Sequence, residues 1–397
     1  MSDPRKRSGR GPSTSSVHAG RGEGAVGSGV SLPLDRSSTF RVDEQAYRLR
    51  EAGRGYEAMV YARETNPTVE AVERRLAALE GAEQALLFAS GMAALHAALM
   101  ALLDGGGQVA LSDRIYGGTT GLIDALLPRI GSGVSTFDPG RPASLEAAMR
   151  AETRLVICES LSNPTLRVAD IPRLAELTRA GGALILVDAT FVTPALQRPL
   201  ELGADLVWHS ASKYLGGHSD LIGGVLAGPR KLISACRAWR TRAGGCADPD
   251  MAWLLERGLK TLALRMRAHD HNARGLATWL AAHPKVSVVH HPSRADHEQR
   301  ALASELMRGS GGMLSFELAG GDPAAARVLA NLELFTEAPS LGGVESLVSP
   351  PARMSHVGQS DAALRAADIG PGCLRLSVGI EDLDDLLQDL EIALEHA

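Results

Sequence analysis

Short apolar runs alternate with helical segments from about residue 66 to residue 228, and this alternation constrains the fold of the chain strongly. Strand-like runs occur at 85–88, 109–111, 155–158, 184–187, 206–208 and 224–226. The first helical segment follows Asn66, a good N-cap, and ends at Gly81. The alternation predicts a mostly parallel sheet that is covered by helices on both faces. In such a sheet, ligands bind beyond the carboxyl ends of the strands.

The pattern changes after about residue 250. A long amphipathic helix is predicted over 251–281, strands at 286–289 and 313–318, and a closing helix over 383–394. These elements indicate a smaller α+β unit. We therefore predict a flexible tail and N-terminal arm over 1–60, a large α/β domain over 61–250 and a small C-terminal domain over 251–397.

The composition excludes several classes of protein. With 45% hydrophobic and 22% charged residues, the chain of 397 residues has an ordinary globular composition. Its formal net charge of −5 indicates neither nucleic acid nor an anionic membrane as a partner. No apolar run reaches the roughly 18 residues of a membrane-spanning helix. No apolar region follows the basic N-terminus, so no signal peptide is predicted.

The cysteines and histidines do not indicate a metal site. The four cysteines lie far apart and form no Cys-x-x-Cys pair, so we interpret them as reduced thiols of a cytoplasmic protein. The neighbouring His290 and His291 have no second cluster at ligand spacing. We predict no metal.

One lysine directly follows a strand-like run. The run ends in Ser210-Ala-Ser212-Lys213, with two hydroxyls and a lysine where an apolar strand stops, and glycines come next. A lysine at the end of a buried strand loses solvation, which lowers its pKa and makes its amine nucleophilic. Flanking hydroxyls and backbone N–H groups can hold a phosphate. The combination suits a Schiff base with pyridoxal phosphate (PLP), although a lysine taken alone is usually a solvated surface residue.

Two other strand ends suit the same cofactor. Asp188 closes an apolar run, where an ionised carboxylate would keep the pyridine nitrogen of PLP protonated. The alternative is a cap for the segment that follows. Ser90-Gly91-Met92 lies between a strand and a helix, where backbone N–H groups bind anions. We assign Gly91 and Met92 to the cofactor phosphate, with a turn made only for packing as the alternative.

Tyr116 and Arg375 are the remaining candidates from the residues themselves. Tyr116 follows a strand end, where an aromatic ring can stack on the pyridine ring and act in proton transfer. Alternation places Arg375 and Ser377 on one face of a strand, where a guanidinium can hold an α-carboxylate with two hydrogen bonds. The alternatives are an ordinary turn for Tyr116 and a surface salt bridge for Arg375.

In combination and in order, these motifs resemble the Cys/Met-metabolism (transsulfuration) family of PLP enzymes. That family includes cystathionine γ-lyases and γ-synthases, methionine γ-lyases and O-acylhomoserine sulfhydrylases. The resemblance covers nearly the whole chain. Its motifs are Tyr61-Ala-Arg63-Glu-Thr-Asn-Pro-Thr, Ser90-Gly-Met, Tyr116-Gly-Gly-Thr, Glu159-Ser-Leu-Ser-Asn163-Pro-Thr, Val187-Asp188, Ser210-Ala-Ser-Lys213-Tyr, Ser340-Leu-Gly-Gly and Arg375-Leu-Ser-Val-Gly. It implies the PLP-dependent transferase fold type I, which is the aspartate-aminotransferase-like α/β architecture, with 61–250 as the PLP-binding domain.

The resemblance also implies a role for each matching residue. The implied cofactor-binding residues are Gly91, Met92, Tyr116, Asn163, Asp188, Ser210, Ser212 and Lys213, with Tyr61 and Arg63 reaching the phosphate of a neighbouring subunit. Lys213 is the implied Schiff-base lysine and proton shuttle, and Ser340 positions it. Arg375 holds the substrate carboxylate with help from Ser340 and Tyr61. A homodimer is therefore obligatory for the active site, and a homotetramer is expected.

The implied reaction is γ-elimination or γ-replacement on a sulfur-containing or O-acylated homoserine-type amino acid. β-Elimination, as in a cystathionine β-lyase, is one alternative. A catalytically silent PLP-binding regulator is another, and the presence of Lys213, Asp188, Tyr116 and Arg375 argues against it.

Several positions depart from the pattern of the family. Gly121 stands where cystathionine-handling members often have an arginine, and Pro339 stands where they often have a glutamate, with Glu337 two residues earlier. Val60 replaces a residue that is often acidic in synthases, and Ala189 replaces the asparagine of Asp-Asn-Thr. The first three changes predict a less polar distal pocket. They favour a smaller or less polar γ-substituent, as in methionine or an O-acylhomoserine.

Overall fold

A computed structural model describes residues 10–20 and 29–397. Twelve strands form two sheets within the described residues. They are β1 (Gln84–Phe88), β2 (Gly107–Ser112), β3 (Ser132–Phe137), β4 (Thr153–Glu159), β5 (Leu184–Asp188), β6 (Leu206–Ser210), β7 (Gly224–Gly228), β8 (Val286–His290), β9 (Met313–Leu318), β10 (Thr336–Glu337), β11 (Leu347–Ser349) and β12 (Cys373–Ser377).

The α-helices of the described residues surround these sheets. They are α1 (Pro12–His18), α2 (Glu44–Glu51), α3 (Pro67–Glu80), α4 (Gly91–Leu102), α5 (Gly117–Leu126), α6 (Pro142–Ala148), α7 (Ile171–Ala180), α8 (Thr193–Leu196), α9 (Arg230–Ala243), α10 (Pro249–Leu259), α11 (Leu262–Ala282), α12 (Arg300–Leu306), α13 (Gly321–Asn331), α14 (Asp361–Ala366) and α15 (Leu383–Glu395). None of them is long and apolar enough to span a bilayer.

The large sheet has the strand order β1-β7-β6-β5-β4-β2-β3. Strands β2 to β6 run parallel to one another, and only β7 runs antiparallel to its neighbours β1 and β6. The prediction of a mostly parallel sheet is therefore confirmed. Because β4, β5 and β6 are parallel neighbours, their last residues Glu159, Asp188 and Ser210 lie along one edge of the sheet.

Alternating side chains of the large sheet pack against helices on its two faces. On one face, residues such as Ile157, Leu186 and Trp208 form a core with α4 and α9. On the other face, Val207 belongs to a core with α3 and α10, and Val187 belongs to a core with α6 and α7. Since side chains alternate along a strand, Glu159 and Asp188 share the face of Ile157 and Leu186, which is the α4 face.

The small sheet has the order β10-β11-β12-β9-β8. Its β12, β9 and β8 are antiparallel neighbours. Apolar side chains of β9 and β12, such as Phe316 and Leu374, form a core with α11, α13 and α15. The sheet places Arg375 of β12 toward the large sheet. The assignment of residue ranges to domains stays a prediction.

Strand β3 and the stretch 251–281 differ from the sequence-based expectation. Strand β3 was not predicted, because it is an edge strand whose Ser-Gly-Val-Ser-Thr-Phe sequence has no apolar run. The single helix predicted over 251–281 is wrong, since two helices, α10 and α11, occupy this stretch. The Thr261 hydroxyl donates to the carbonyl oxygen of Gly258 at the break, a side-chain bond that competes with the helical backbone pattern.

The predicted N-terminal tail contains a docked helix. In α1, Ser13 Oγ accepts a hydrogen bond from Arg267, and the carbonyl oxygen of Ser16 accepts one from Arg75. The sequence did not predict this helix, because its order depends on contacts with α11 and α3 and not on its own Gly- and Ser-rich composition. Residues 1–9 and 21–28 of the predicted tail lie outside the described residues.

Candidate active site

A cavity of about 580 Å³ lies where β4, β5 and β6 end, between the large and the small sheet. Its volume falls in the usual range for small-molecule sites. Ten of the twelve predicted site residues line it: Gly91, Met92, Tyr116, Asn163, Asp188, Ser210, Ser212, Lys213, Ser340 and Arg375. These residues are spread over almost 300 positions of the sequence, and the fold brings them together in one cavity.

The N-terminus of α4 forms one end of this cavity. Ser90 caps the helix, and its Oγ accepts a hydrogen bond from the backbone N–H of Ala93 at 3.0 Å. The first N–H groups of a helix have no partner inside the helix, so those of Gly91 and Met92 are available to an anion. A Cβ at position 91 would come within 3.2 Å of Ser210, so only glycine keeps this close approach without a shift. The turn is suited to a phosphate.

Lys213 and Ser340 are in direct contact. Lys213 Nζ donates to Ser340 Oγ at 2.6 Å. Burial lowers the pKa of Lys213 to about 8, and the charge of Arg375 contributes to the same shift. Ser340 has a φ of 96°, a backbone conformation that non-glycine residues rarely adopt, and such strain is found at functional sites. Because of the lowered pKa, the neutral, nucleophilic form of the Lys213 amine is favoured at a lower pH than for an ordinary lysine.

Arg375 is 6% exposed, which excludes the surface salt bridge considered from the sequence. Its Nη1 donates to Asn163 Oδ1 at 3.1 Å, and its Nη2 donates to the carbonyl oxygen of Ser340 at 2.9 Å. Burial lowers the pKa of Arg375 to about 10, so the group is still charged at neutral pH. Its Nε has no hydrogen-bond partner in the described part of the chain. A buried cation with neutral partners is ready to receive a carboxylate.

One of the two carboxylate oxygens of Asp188 is hydrogen-bonded to a neighbouring residue. Oδ1 accepts hydrogen bonds from the backbone N–H of Thr190 at 2.9 Å and from its hydroxyl at 2.5 Å. These bonds form a turn directly after β5 and do not cap a helix, since α8 begins only at Thr193, and they leave Oδ2 for another partner. Burial raises the pKa of Asp188. A cation or a protonated ring nitrogen next to Oδ2 would offset that burial and favour the ionised carboxylate.

Tyr116 directly precedes α5, at the edge of the cavity. Its side chain is 46% exposed, and its backbone N–H donates to Glu159 Oε1 at 2.8 Å. The ring thus has free space on one side, where a planar ligand can stack.

Glu159, Thr190 and Trp208 are among the cavity residues to which the sequence analysis gave no role. Glu159 was noted only as part of a motif, and Thr190 only as a neighbour of Asp188. Trp208 was treated as an apolar strand residue, yet its indole N–H donates to the carbonyl oxygen of Gly91 at 2.9 Å and so holds the first turn of α4. The available signal for Glu159 was its strand-final position in β4, and the signal for Thr190 was its place two residues after Asp188.

Tyr61 and Arg63 do not line the cavity. Both side chains are exposed, and Arg63 donates to the carbonyl oxygen of Thr241 at 2.9 Å, with its guanidinium 5.5 Å from the centre of the Tyr61 ring. Within one chain they are therefore separate from the other ten residues.

The donors and acceptors of the cavity fit PLP. The α4 turn and the hydroxyls of Ser210 and Ser212 suit its phosphate, and the free oxygen of Asp188 suits a protonated pyridine nitrogen. The amine of Lys213, with its lowered pKa, is suited to react with the aldehyde. No cluster of His, Cys, Asp or Glu that could hold a metal ion occurs among the described residues.

The other side chains around the cavity are mostly apolar. Among the described residues that line it, the charged ones are Glu159, Asp188, Lys213 and Arg375. The apolar ones are Leu161, Phe191, Trp208, Ile222, Pro339, Leu341, Met354 and Met92. Among the described residues of one chain, no third cation lines the cavity to receive a second carboxylate of a ligand.

Comparison with known proteins gives matches over nearly the full length. The model of a family described as Cys/Met metabolism PLP-dependent enzyme matches residues 13–395. A cystathionine gamma-lyase of Bacillus subtilis (strain 168) is 41% identical over 382 residues, which cover 96% of this chain and 98% of that protein. A cystathionine beta-lyase of Lactococcus lactis subsp. cremoris is 41% identical over 383 residues, which cover 96% of this chain and 98% of that protein.

A solved structure has the same fold. The crystal structure of cystathionine gamma synthase from Xanthomonas oryzae pv. oryzae in complex with cystathionine superimposes with a TM-score of 0.91 at 38% identity, over 98% of this chain and 99% of that one. The predicted fold type I architecture is thereby confirmed.

Proposed function

This chain belongs to the Cys/Met metabolism family of PLP-dependent enzymes, and within that family we propose that it acts on amino acids with an uncharged, largely apolar γ-substituent. It is a PLP-dependent enzyme of the transsulfuration type, a carbon–sulfur lyase or a transferase of γ-substituted amino acids. The choice of substrate, the role of each residue and the oligomeric state are our proposals.

The distribution of charge around the cavity carries the substrate proposal. Arg375 is a buried cation with neutral partners, and we assign it to the α-carboxylate. The other cation, Lys213, is needed for the chemistry. A second carboxylate, such as the distal one of cystathionine, would meet side chains such as Ile222, Pro339 and Met354. These apolar side chains offer a second carboxylate neither a hydrogen-bond donor nor an opposite charge in exchange for the water that they displace, so a neutral γ-substituent fits better.

Bound PLP supplies an aldehyde for covalent attachment and an electron-poor ring that stabilises negative charge at the substrate Cα. In our proposal, the α4 turn with Ser210 and Ser212 binds the phosphate. Asp188 keeps the ring nitrogen protonated through Oδ2, and Tyr116 stacks on the ring.

The proton transfers fall to Lys213. Its amine, with a pKa lowered to about 8, takes the Cα proton of the substrate at Nζ and can return it at another carbon. Ser340, which accepts a hydrogen bond from Nζ at 2.6 Å, keeps the amine aimed at the cavity. Tyr116, at the edge of the cavity, takes a proton from the incoming amino group.

We expect purified, PLP-loaded enzyme to turn over L-methionine or O-acetyl-L-homoserine with about tenfold to hundredfold higher kcat/KM than L-cystathionine, because a polar group that loses its water without gaining a partner costs roughly 1–3 kcal/mol. Each substrate is tested with and without an added thiol, and the products are identified by mass spectrometry. 2-Oxobutyrate without thiol marks γ-elimination, and a new thioether that needs thiol marks γ-replacement. Preference for cystathionine would contradict the substrate proposal, and pyruvate from it would make the enzyme a β-lyase.

We also propose that the active site is shared between the subunits of a homodimer, as part of a homotetramer. Tyr61 and Arg63 lie outside the cavity of their own chain, with exposed side chains. In our proposal they reach the phosphate bound by the partner subunit.

The four cysteines form no disulfide, which supports a cytoplasmic location.

Mixing two inactive variants tests the shared site. We expect Lys213→Ala and Arg63→Ala to be poorly active alone. Co-expressed with separate affinity tags, they should recover about a quarter of the native activity, since half of a random mixture of dimers is hybrid and each hybrid has one intact site. No recovery in purified hybrids would show that Arg63 serves its own subunit. The mass of the hybrids by analytical ultracentrifugation gives the oligomeric state.

A further inference from the structure

Glu159 is a buried carboxylate at the edge of the cavity that the proposed chemistry does not use. It is the last residue of β4 and pairs in register with Asp188, the last residue of β5. Its side chain is 7% exposed. Both oxygens accept hydrogen bonds from backbone N–H groups, Oε1 from Tyr116 at 2.8 Å and Oε2 from Asn163 at 3.1 Å.

The two hydrogen-bond partners of Glu159, Tyr116 and Asn163, belong to different parts of the site. Tyr116 is the cap residue of α5, but no side chain caps that helix, and the tyrosine side chain is half-exposed. The Tyr116 carbonyl oxygen accepts from the first turn of α5 and the ring lies over Gly118, while the backbone N–H donates to Glu159, which ties the residue to the end of β4. Asn163 accepts a hydrogen bond from Arg375 at 3.1 Å. Glu159 thus connects the ring-stacking residue with the residue that orients Arg375.

A carboxylate at this position is unfavourable for stability alone. Burial and the neighbouring Asp188 raise the pKa of Glu159 well above its usual value. A glutamine would avoid the burial of a charge, but its amide group has only one accepting oxygen and would turn an NH₂ toward one of the two N–H donors. Only the carboxylate can accept from both loops at once.

We propose that Glu159 is a positioning residue, which fixes the Tyr116 ring and the Asn163–Arg375 pair relative to each other through two backbone hydrogen bonds. The inference rests on the proposed function, because it takes Tyr116 and Arg375 as the groups that meet the cofactor and the substrate carboxylate. It adds a residue for which that function assigns no role.

Glu159→Gln in the PLP-loaded enzyme should lower kcat/KM about tenfold to a hundredfold, as expected for the loss of a charge-assisted hydrogen bond. The circular dichroism of the cofactor band, which reports the fixed orientation of the ring, should decrease at equal cofactor content. Asp389→Asn is the matched control. Asp389 is also buried and accepts hydrogen bonds from three backbone N–H groups, of Glu333, Leu334 and Phe335, but it lies in α15. Its variant should keep both the activity and the cofactor band.

A double-mutant cycle with Tyr116→Ala separates positioning from general loosening of the fold. If Glu159 acts through the tyrosine ring, the effect of Glu159→Gln on kcat/KM should shrink severalfold once the ring is absent. Equal effects in both backgrounds would overturn the proposal. If Glu159→Gln does not fold, Glu159→Asp keeps the charge but is one methylene too short to reach both amides, and it should show the same loss and the same coupling.

Two failures can be told apart. If the native enzyme turns over none of the amino acids tested, the proposed function fails. If the native enzyme is active and Glu159→Gln matches it in kcat/KM and in the cofactor band, only the role of Glu159 is wrong.

Discussion

Replacing Lys213 with alanine should reduce kcat by at least about 10³-fold, because one side chain supplies both the covalent link to the cofactor and the proton transfers. Borohydride reduction of the native enzyme should attach a pyridoxyl group to Lys213, found by peptide mapping. Lys231→Ala is the matched control, since Lys231 is an exposed lysine of α9. Label on another lysine, or substantial turnover by the Lys213 variant, would refute the assignment.

The lowered pKa of Lys213 adds a pH dependence to this prediction. Burial favours the neutral amine, so the pKa falls to about 8 from an ordinary value of 10.5. Only the neutral amine attacks an aldehyde. The rate at which apoenzyme takes up PLP should therefore rise with pH and level off above about pH 8. A rate that keeps rising toward pH 10 would mean that the amine is not desolvated in the apoenzyme.

The elements that could be predicted from the sequence are those whose signal is local. Buried parallel strands such as β4 and β5 are continuous apolar runs, and the polar residue that ends each run marks the ligand-binding edge. Asp188 and Lys213 were found in this way. Arg375 was a candidate from strand alternation, but Asn163 needed the family motif, because nothing local to either residue shows that one donates to the other across 212 positions.

The features that could not be predicted depend on tertiary context. The edge strand β3 has little apolar character because one side of it faces solvent. The break between α10 and α11 lies where Thr261 and Arg265 both hydrogen-bond the carbonyl oxygen of Gly258, in a stretch whose apolar periodicity continues. In the sequence, Glu159 is an ordinary acid at the end of a strand. Only the structure shows that it accepts hydrogen bonds from the backbone of both Tyr116 and Asn163.

Replacing Asp188 with asparagine should lower kcat/KM about 10²- to 10³-fold, the range measured when a preorganised group that stabilises transition-state charge is removed. The asparagine keeps an acceptor for the Thr190 N–H and hydroxyl, so the local fold should persist. What it loses is the negative charge that would keep the ring nitrogen protonated. Asp188→Glu, which keeps the charge, should retain more activity than the asparagine variant.

Stability separates this effect from simple misfolding. Because burial raises the pKa of Asp188, the ionised form is disfavoured in the folded apoenzyme, and its free energy of unfolding at neutral pH is reduced by that cost. The Asp188→Asn apoenzyme should therefore unfold at the same urea concentration as the native apoenzyme, or at a higher one.

Asp205→Asn is the control, since the carboxylate of Asp205 accepts a hydrogen bond from the N–H of Ile185 at the opposite end of the same strand pair. That variant should lose some stability but keep its kcat, the reverse of what we expect at Asp188. If Asp188→Asn lost stability and activity together, its carboxylate would be part of the scaffold and not a partner of the cofactor ring.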